Sequence, residues 1–283
     1  MFSKLYARGP STEISLPSVD SLPGKYTALE PVTGGTHGIC YIATLDSTRR
    51  FLKTHGQSLE ARENLEKEID VLTYLYGLAL HTESFSTEDG RLWLAMDALL
   101  PADPVSPTDI RRLTGMYMEK LATYPERLRV RSEDNFSRLL LESEQAFVTL
   151  CARGQIGPDL RRAIPHYFDI LVRMKSQMHF CLCHGDLGPC NLMFDGTSIF
   201  AVDWEDAFWG IEGYDYLYWL TFFGNRPHLN SNIFGYTPWG KDVDIAILLM
   251  VLLIKCRLSF HKGTYVNDKL TFDQRLMEIL DLA

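Results

Sequence analysis

Thirty residues, Cys181 to Gly210, read CLCHGDLGPCNLMFDGTSIFAVDWEDAFWG. Two chemistries compete for them. Cys181, Cys183, His184 and Cys190 are all zinc-ligand types, but structural zinc usually takes a knuckle with two to four residues between thiolates. Here one residue separates Cys181 from Cys183. On a strand that spacing puts both thiols on one face, and free cysteine is among the most buried residue types. The oxygen donors form a more telling pattern. Asp186 stands five residues before Asn191, and Asp203 ends the next apolar run, with Glu205 two residues on. A carboxylate, an amide oxygen and a second carboxylate on adjacent loops suit Mg²⁺, a hard cation. A carboxylate that does not ligate metal can accept the proton of a hydroxyl nucleophile. Gly185, Gly188 and Pro189 permit the tight loop that gathers these groups.

The surrounding elements must hold that loop in place. Upstream, β-rich runs Tyr26–Val32, Ile39–Leu45 and Arg50–His55 alternate with the turns TGGTHG and LDSTRR, the pattern of an antiparallel meander. A helix follows, with Leu65, Ile69, Leu72 and Leu75 at helical spacing and Ser58 as N-cap. After the polar segment HTESFSTEDG comes one more strand, RLWLAMDALL, then PADPVSP with three prolines in seven residues. The lobe boundary is placed just before it, near Asp97 to Pro101. This gives residues 1–97 as one lobe, with residues 1–24 an irregular arm, and residues 98–283 as a helical second lobe. Three amphipathic helices precede the opening stretch, which itself holds two short strands, NLMFD and IFAVDW, around the turn DGTS. Helices over Tyr214–Phe223, Val243–Cys256 and Phe272–Leu282 finish the chain.

Bulk properties exclude several classes. The 283 residues carry a net charge of −8, so no basic surplus exists to neutralise nucleic-acid phosphates. The longest apolar run, Ile245–Ile254, is half the length needed to span a bilayer and reads as a buried helix. The N-terminus lacks the apolar stretch of a signal peptide. The six cysteines therefore read as reduced thiols in a cytoplasmic protein, with neither a nucleic acid nor a membrane as partner.

The pattern H-G-D-x₄-N followed by D-W-E resembles the aminoglycoside phosphotransferase and choline kinase superfamily. The resemblance implies an α+β, bilobal, protein-kinase-like fold. It would have a small antiparallel N-lobe sheet with one helix, and a larger, mainly helical C-lobe carrying the catalytic loop and acceptor site. It also implies transfer of the γ-phosphate of ATP, with Mg²⁺, to a hydroxyl of a sugar, amino sugar, aminoglycoside or amino alcohol, with ATP between the lobes. The alternatives are a catalytically inactive nucleotide-binding protein of the same fold or a thiol-zinc protein. Only eleven residues lie between Asp203 and Asp215, too few for the long activation segment of a protein kinase, so the acceptor is expected to be a small molecule.

The family's parts map onto this sequence as follows. Asp186 is the expected base or orienter of the acceptor hydroxyl. Asn191 and Asp203 are expected Mg²⁺ ligands, and Glu205 either touches a second metal or holds the loop. Gly34, Gly35 and Gly38 would cover the phosphates. Lys53 would reach the α- and β-phosphates and pair with a helix glutamate, Glu68 in preference to Glu66 or Glu63. Backbone groups of Asp97, Ala98 and Leu99 would bind the adenine. His184 is expected to be structural, and Asp215 to brace the catalytic loop through backbone N–H groups. Asp206, Trp209 and Glu212 are candidates for an acceptor pocket.

Overall fold

A computed structural model describes residue 22 and residues 24–32, 38–125, 135–264 and 270–283. Residues 1–21 of the expected arm, Gly34 and Gly35 lie outside them. In chain order the strands are β1 (Thr27–Pro31), β2 (Gly38–Leu45), β3 (Thr48–His55), β4 (Glu83–Ser86), β5 (Leu92–Asp97), β6 (Leu100–Pro101), β7 (Phe180–Cys183), β8 (Leu192–Phe194), β9 (Ile199–Ala201) and β10 (Phe208–Ile211). The helices are α1 (Leu59–Tyr76), α2 (Pro107–Leu121), α3 (Asn135–Ala152), α4 (Pro158–Met174), α5 (Tyr214–Leu220), α6 (Lys241–Lys262) and α7 (Phe272–Leu280). Together they make an α+β protein.

The chain divides into two compact units. The first holds the chain up to Asp103, a short stretch from Thr123, and Cys190–Ala207. Its main sheet is antiparallel in the order β1-β2-β3-β5-β4. Strand pleating sends neighbouring residues to opposite faces. Leu52 therefore joins Tyr41, Trp93 and Ala95 in a buried apolar cluster, while Lys53 points to the other face. There α1 packs on β3 and β5. Ser58 starts the helix by accepting a hydrogen bond from the Ala61 amide at 3.1 Å, which satisfies one of the orphan N–H groups of its first turn. The helix buries Leu65, Glu68, Ile69, Leu72 and Leu75, one stripe at three- and four-residue spacing.

A smaller sheet in the same unit has the order β6-β8-β9. It is tied to α1 by the Tyr76 hydroxyl, which accepts the Ala201 amide at 3.0 Å, and by the edge-to-face pair Tyr76–Phe200. The contacts thus group Cys190–Ala207 with the strands, not with the helices that follow, because this segment pairs with β6 and packs on α1.

The second unit comprises Pro104–Ala122, residues from Arg129 to Pro189, and Phe208–Ala283. Helix α6 is its axis: α3, α4, α5 and α7 all pack against it, and its residues Ile245–Ile254 are all buried. Strands β7 and β10 pair antiparallel. Among the described residues no helix is long and apolar enough to cross a membrane.

Three elements depart from the sequence expectation. β4 lies in the segment read as merely polar; as the sheet's edge strand it is only half covered, so its alternation is weak. β10 is a four-residue strand with no turn signal of its own. α6 runs from Lys241 to Lys262 and ends at Gly263 in a left-handed conformation (φ 67°), several residues beyond Cys256, because its last turns are polar and leave the apolar run.

Candidate active site

The first unit encloses a cavity of about 190 Å³. Ile42, Phe51, Met96, Leu99 and Val202 give it apolar walls, and Lys53, Glu68, Asn191, Asp203 and Glu205 line it as well. Lys53 reaches it from β3, opposite Cys40 of β2. Its ammonium lies 2.7 Å from Glu68 Oε2, 2.5 Å from Asp203 Oδ1 and 3.7 Å from Glu205 Oε2. Burial works against the Lys53 charge, but the three carboxylates outweigh it and hold the ammonium well above its ordinary range. Burial pushes the Glu68 carboxyl upward, and the adjacent Lys53 ammonium draws it back.

Local structure explains how these groups meet. Of the three glutamates considered on α1, Glu63 is exposed and Glu66 pairs with Arg62 one turn earlier at 3.0 Å. Glu68 alone of the three is buried and touches Lys53. Asp203 follows β9 with a left-handed backbone (φ 68°), a conformation aspartate tolerates better than most side chains. That reversal starts a short 3₁₀ turn, Trp204–Asp206. Trp204 is fully buried and its indole N–H donates to the Ala201 carbonyl at 2.8 Å. The Lys67 ammonium from α1 holds the turn's far end at the Ala207 carbonyl, 3.1 Å away. The Asn191 carbonyl accepts the Val202 amide at 3.0 Å, which ties the start of β8 to the end of β9.

These donors fit a hard divalent cation. Among the described residues, Glu68, Asp203 and Glu205 present carboxylate oxygens within 4.8 Å of one another, and the Asn191 side chain lines the same cavity. No such grouping includes a cysteine. Cys181 and Cys183 lie on β7 with their sulfurs 3.9 Å apart, and Cys183 is buried with its thiol held well above the ordinary range by desolvation. Cys190 is exposed in the other unit. The thiol-zinc alternative finds no ligand set here.

Backbone groups of Asp97, Ala98 and Leu99 were expected to bind a nucleobase. Leu99 lines the cavity. The Asp97 carboxylate is taken by Arg50 at 2.9 Å and His81 at 2.7 Å. The Ala98 amide already donates to the Arg49 carbonyl at 3.2 Å, so it is not the donor a base would use. Gly38 begins β2.

The second unit carries the remaining groups. Asp186 sits in the loop after β7, where Gly185 adopts φ 89°. The Tyr218 hydroxyl from α5 donates to Asp186 Oδ1 at 2.6 Å. His184 is fully buried, and its Nδ1 accepts the Asp186 amide at 3.3 Å, a structural rather than a reactive placement. Asp215, in the first turn of α5, accepts the His184 amide at 2.7 Å, the Gly185 amide at 3.0 Å and the Tyr117 hydroxyl at 2.5 Å. Three donors on one buried carboxylate lock the loop's entry. Trp209 and Glu212 line a different cavity, of about 430 Å³, with Glu119 and His179. Asp206 is not among its walls; it closes the 3₁₀ turn of the first unit.

Sequence reasoning missed the apolar cavity walls, Cys40 and Tyr218. Tyr218 stands three residues after Asp215, one helical turn on, so both face the loop. That phase was the available signal.

Residues 28–235 match the sequence profile of the phosphotransferase enzyme family, which spans well over half of the chain. The chain belongs to that family. The expectation of a kinase-type phosphotransferase therefore holds. No curated protein is similar enough in sequence to register as a relative. Solved structures resemble this phosphotransferase more readily. A thermostable mutant of aminoglycoside phosphotransferase APH(4)-Ia, in a ternary complex with AMP-PNP and hygromycin B, matches at TM-score 0.61 and 13% identity, covering 91% of this chain and 95% of its own. A microcompartment-associated aminopropanol kinase matches at TM-score 0.59 and 15% identity, covering 89% of each chain. Choline kinase from Cryptosporidium parvum matches at TM-score 0.57 and 14% identity, covering 94% of this chain and 91% of its own. At such identities the likeness establishes the fold, which is the bilobal, kinase-like one expected from the motifs.

Proposed function

We propose that this phosphotransferase moves the γ-phosphate of ATP to a hydroxyl of a small molecule. The observation that carries the reading is the Lys53 ammonium, held at 2.7 Å by Glu68 and 2.5 Å by Asp203 in a cavity that the Asn191 side chain also lines. Its apolar walls suit a flat base, and Leu99 is the segment's contact to it. Lys53 neutralises phosphate charge, and Glu68 keeps its amine aimed when Asp203 turns to other work. Asn191 and Asp203 hold Mg²⁺, and Glu205 either joins them or secures the turn. Bound Mg²⁺ supplies charge neutralisation of the phosphates. Cover for the phosphates is assigned to Gly34, Gly35 and Gly38.

Asp186 orients the acceptor and takes its proton. In the transfer, the acceptor oxygen bonds to the γ-phosphorus, the bond to the β,γ-bridging oxygen breaks, ADP leaves, and the hydroxyl proton passes to the Asp186 carboxylate. Asp215 supports that role by fixing the loop. The similar structures named above are an aminoglycoside phosphotransferase, an aminopropanol kinase and a choline kinase, and an amino alcohol or amino sugar suits this chain. Trp209 and Glu212 are the acceptor-side candidates, since an aromatic face and carboxylates in one cavity favour a cationic group.

The test is a thermal shift with MgATP followed by a coupled ADP-release screen over sugars, amino alcohols and aminoglycosides. MgATP should raise the melting temperature, and one acceptor class should give turnover. Asp186→Asn should cut that turnover by roughly 10²–10⁴-fold while the MgATP shift persists. No shift with MgATP, or an Asp186→Asn enzyme as fast as the parent, would sink the reading.

A further inference from the structure

Helix α6 is apolar on every side from Ile245 through Ile254, and the next residue is Lys255. Its amine is inaccessible to water and has no hydrogen-bond partner among the described residues. It lies 3.6 Å from the centre of the Tyr218 ring and 3.5 Å from that of Phe222. Those rings meet edge to face, 5.6 Å apart at 70°. The amine therefore sits in an aromatic notch made by the end of α5 and the residue behind it.

The same two rings are the seat of the Asp186 loop. Tyr218 donates its hydroxyl to Asp186 at 2.6 Å. Phe222 fills the space beside Gly188, where a Cβ would come within 2.8 Å of the ring. Gly188 is glycine because the loop lies directly on Phe222. Lys255, Tyr218, Phe222, Gly188 and Asp186 thus form one continuous packing group within the second unit.

Such an amine is costly to keep. A buried polar group without a partner destabilises the fold, the more so when charged. Methionine would fill a similar volume without that cost. Two aromatic faces return part of it. The titratable groups that act on the amine are Asp186 on the loop, Arg275 on α7 and the adjacent Cys256. Burial dominates and holds the ammonium well below the ordinary lysine range; Asp186 is the strongest influence in its favour, and Arg275 opposes it.

We propose that Lys255 is a positioning residue for phosphoryl transfer: its amine, seated on the Tyr218 and Phe222 rings, holds the Tyr218 hydroxyl on the Asp186 carboxylate and so directs that carboxylate at the acceptor hydroxyl. This rests on the reading of Asp186 as the acceptor-side base.

Two measurements test it. The first is the rate of MgATP turnover against pH, with water as acceptor, for the parent and Lys255→Met. Lys255→Met should melt at an equal or higher temperature and lose about tenfold in rate across the profile. A Lys255→Met enzyme within about twofold of the parent rate overturns the proposal. The second needs neither turnover nor that variant's folding. In protein labelled with ¹³C at lysine Cε, one resonance should titrate below the ordinary lysine range, and Asp186→Asn should move that titration lower still. A resonance that Asp186→Asn leaves in place overturns the coupling. Loss of the base reading shows separately, as an Asp186→Asn enzyme that still turns over.

Discussion

Among the described residues, Lys53 and Lys255 have buried amines, one in each compact unit, and they are shifted in opposite directions. Lys53 meets three carboxylates within 3.7 Å and is held above its ordinary range. Lys255 has no hydrogen-bond partner among the described residues and is held below it. Desolvation disfavours both charges. What separates them is the number and closeness of the counter-charges. Lys53 sits in surplus negative charge, which leaves carboxylate to spare for a metal ion. Lys255 sits in a deficit, covered only by ring faces and the field of Asp186. The first arrangement is the one proposed to take a cation and phosphates. The second keeps a charge under strain, where a small change in its neighbour alters it.

That contrast can be broken at several points. The largest effect is expected from Lys53→Met. It leaves Glu68, Asp203 and Glu205 facing one another without a cation, a loss of about 3–5 kcal/mol, and millimolar Mg²⁺ should restore part of it. Thermal unfolding with and without Mg²⁺ measures both; a variant as stable as the parent in the absence of Mg²⁺ would mean the carboxylates are not coupled through Lys53. The opposite sign for Lys255→Met, no loss or a gain in melting temperature, is the sharpest form of the comparison.

Glu68→Gln should cost less, about 1–3 kcal/mol, since Asp203 and Glu205 still partner the ammonium. Its signature is kinetic: KM for MgATP should rise more than kcat falls, because the amine loses its aim once Asp203 is engaged elsewhere. Equal effects of Glu68→Gln and Glu66→Gln on KM would show that helical phase does not decide the pair.

The smallest effect concerns a buried acid. Asp244, in the first turn of α6, accepts the Thr237 hydroxyl at one oxygen, while its other oxygen has no partner among the described residues. Burial holds its carboxyl up at about 6, against an ordinary 3.8. The folded state therefore keeps a proton that the unfolded chain has already released. Its contribution is complete below about pH 4 and is lost as pH rises through 6. Asp244→Asn should remove that slope and leave the variant more stable than the parent at pH 8 by about 1–2 kcal/mol. Parallel stability curves for the two proteins between pH 4 and 8 would contradict it.

Much of the fold was legible along the chain. Ser58, the leucines of α1 and the three-strand meander each carry their signal within a few residues, and local capping and periodicity survive into the folded state. β4 and β10 were not, because an edge strand and a four-residue pair partner take their structure from the neighbour they bond to. In the site, Glu68 was separable from its neighbours by helical phase. Ala98 was not separable from Leu99, because whether an amide is already spent depends on the strand beside it.

The sequence by itself determined the candidate oxygen donors. Asp186, Asn191, Asp203 and Glu205 are fixed by short spacing on one loop and one hairpin, so their types and order sufficed to point to a phosphotransferase. Only the tertiary structure decided which charges are satisfied. Lys255 is sixty-nine positions from Asp186 and Lys53 is fifteen from Glu68, and nothing in those separations tells a paired amine from a stranded one. Burial and the distance to counter-charges are properties of packing, and they set whether a lysine is ion-paired or left on ring faces.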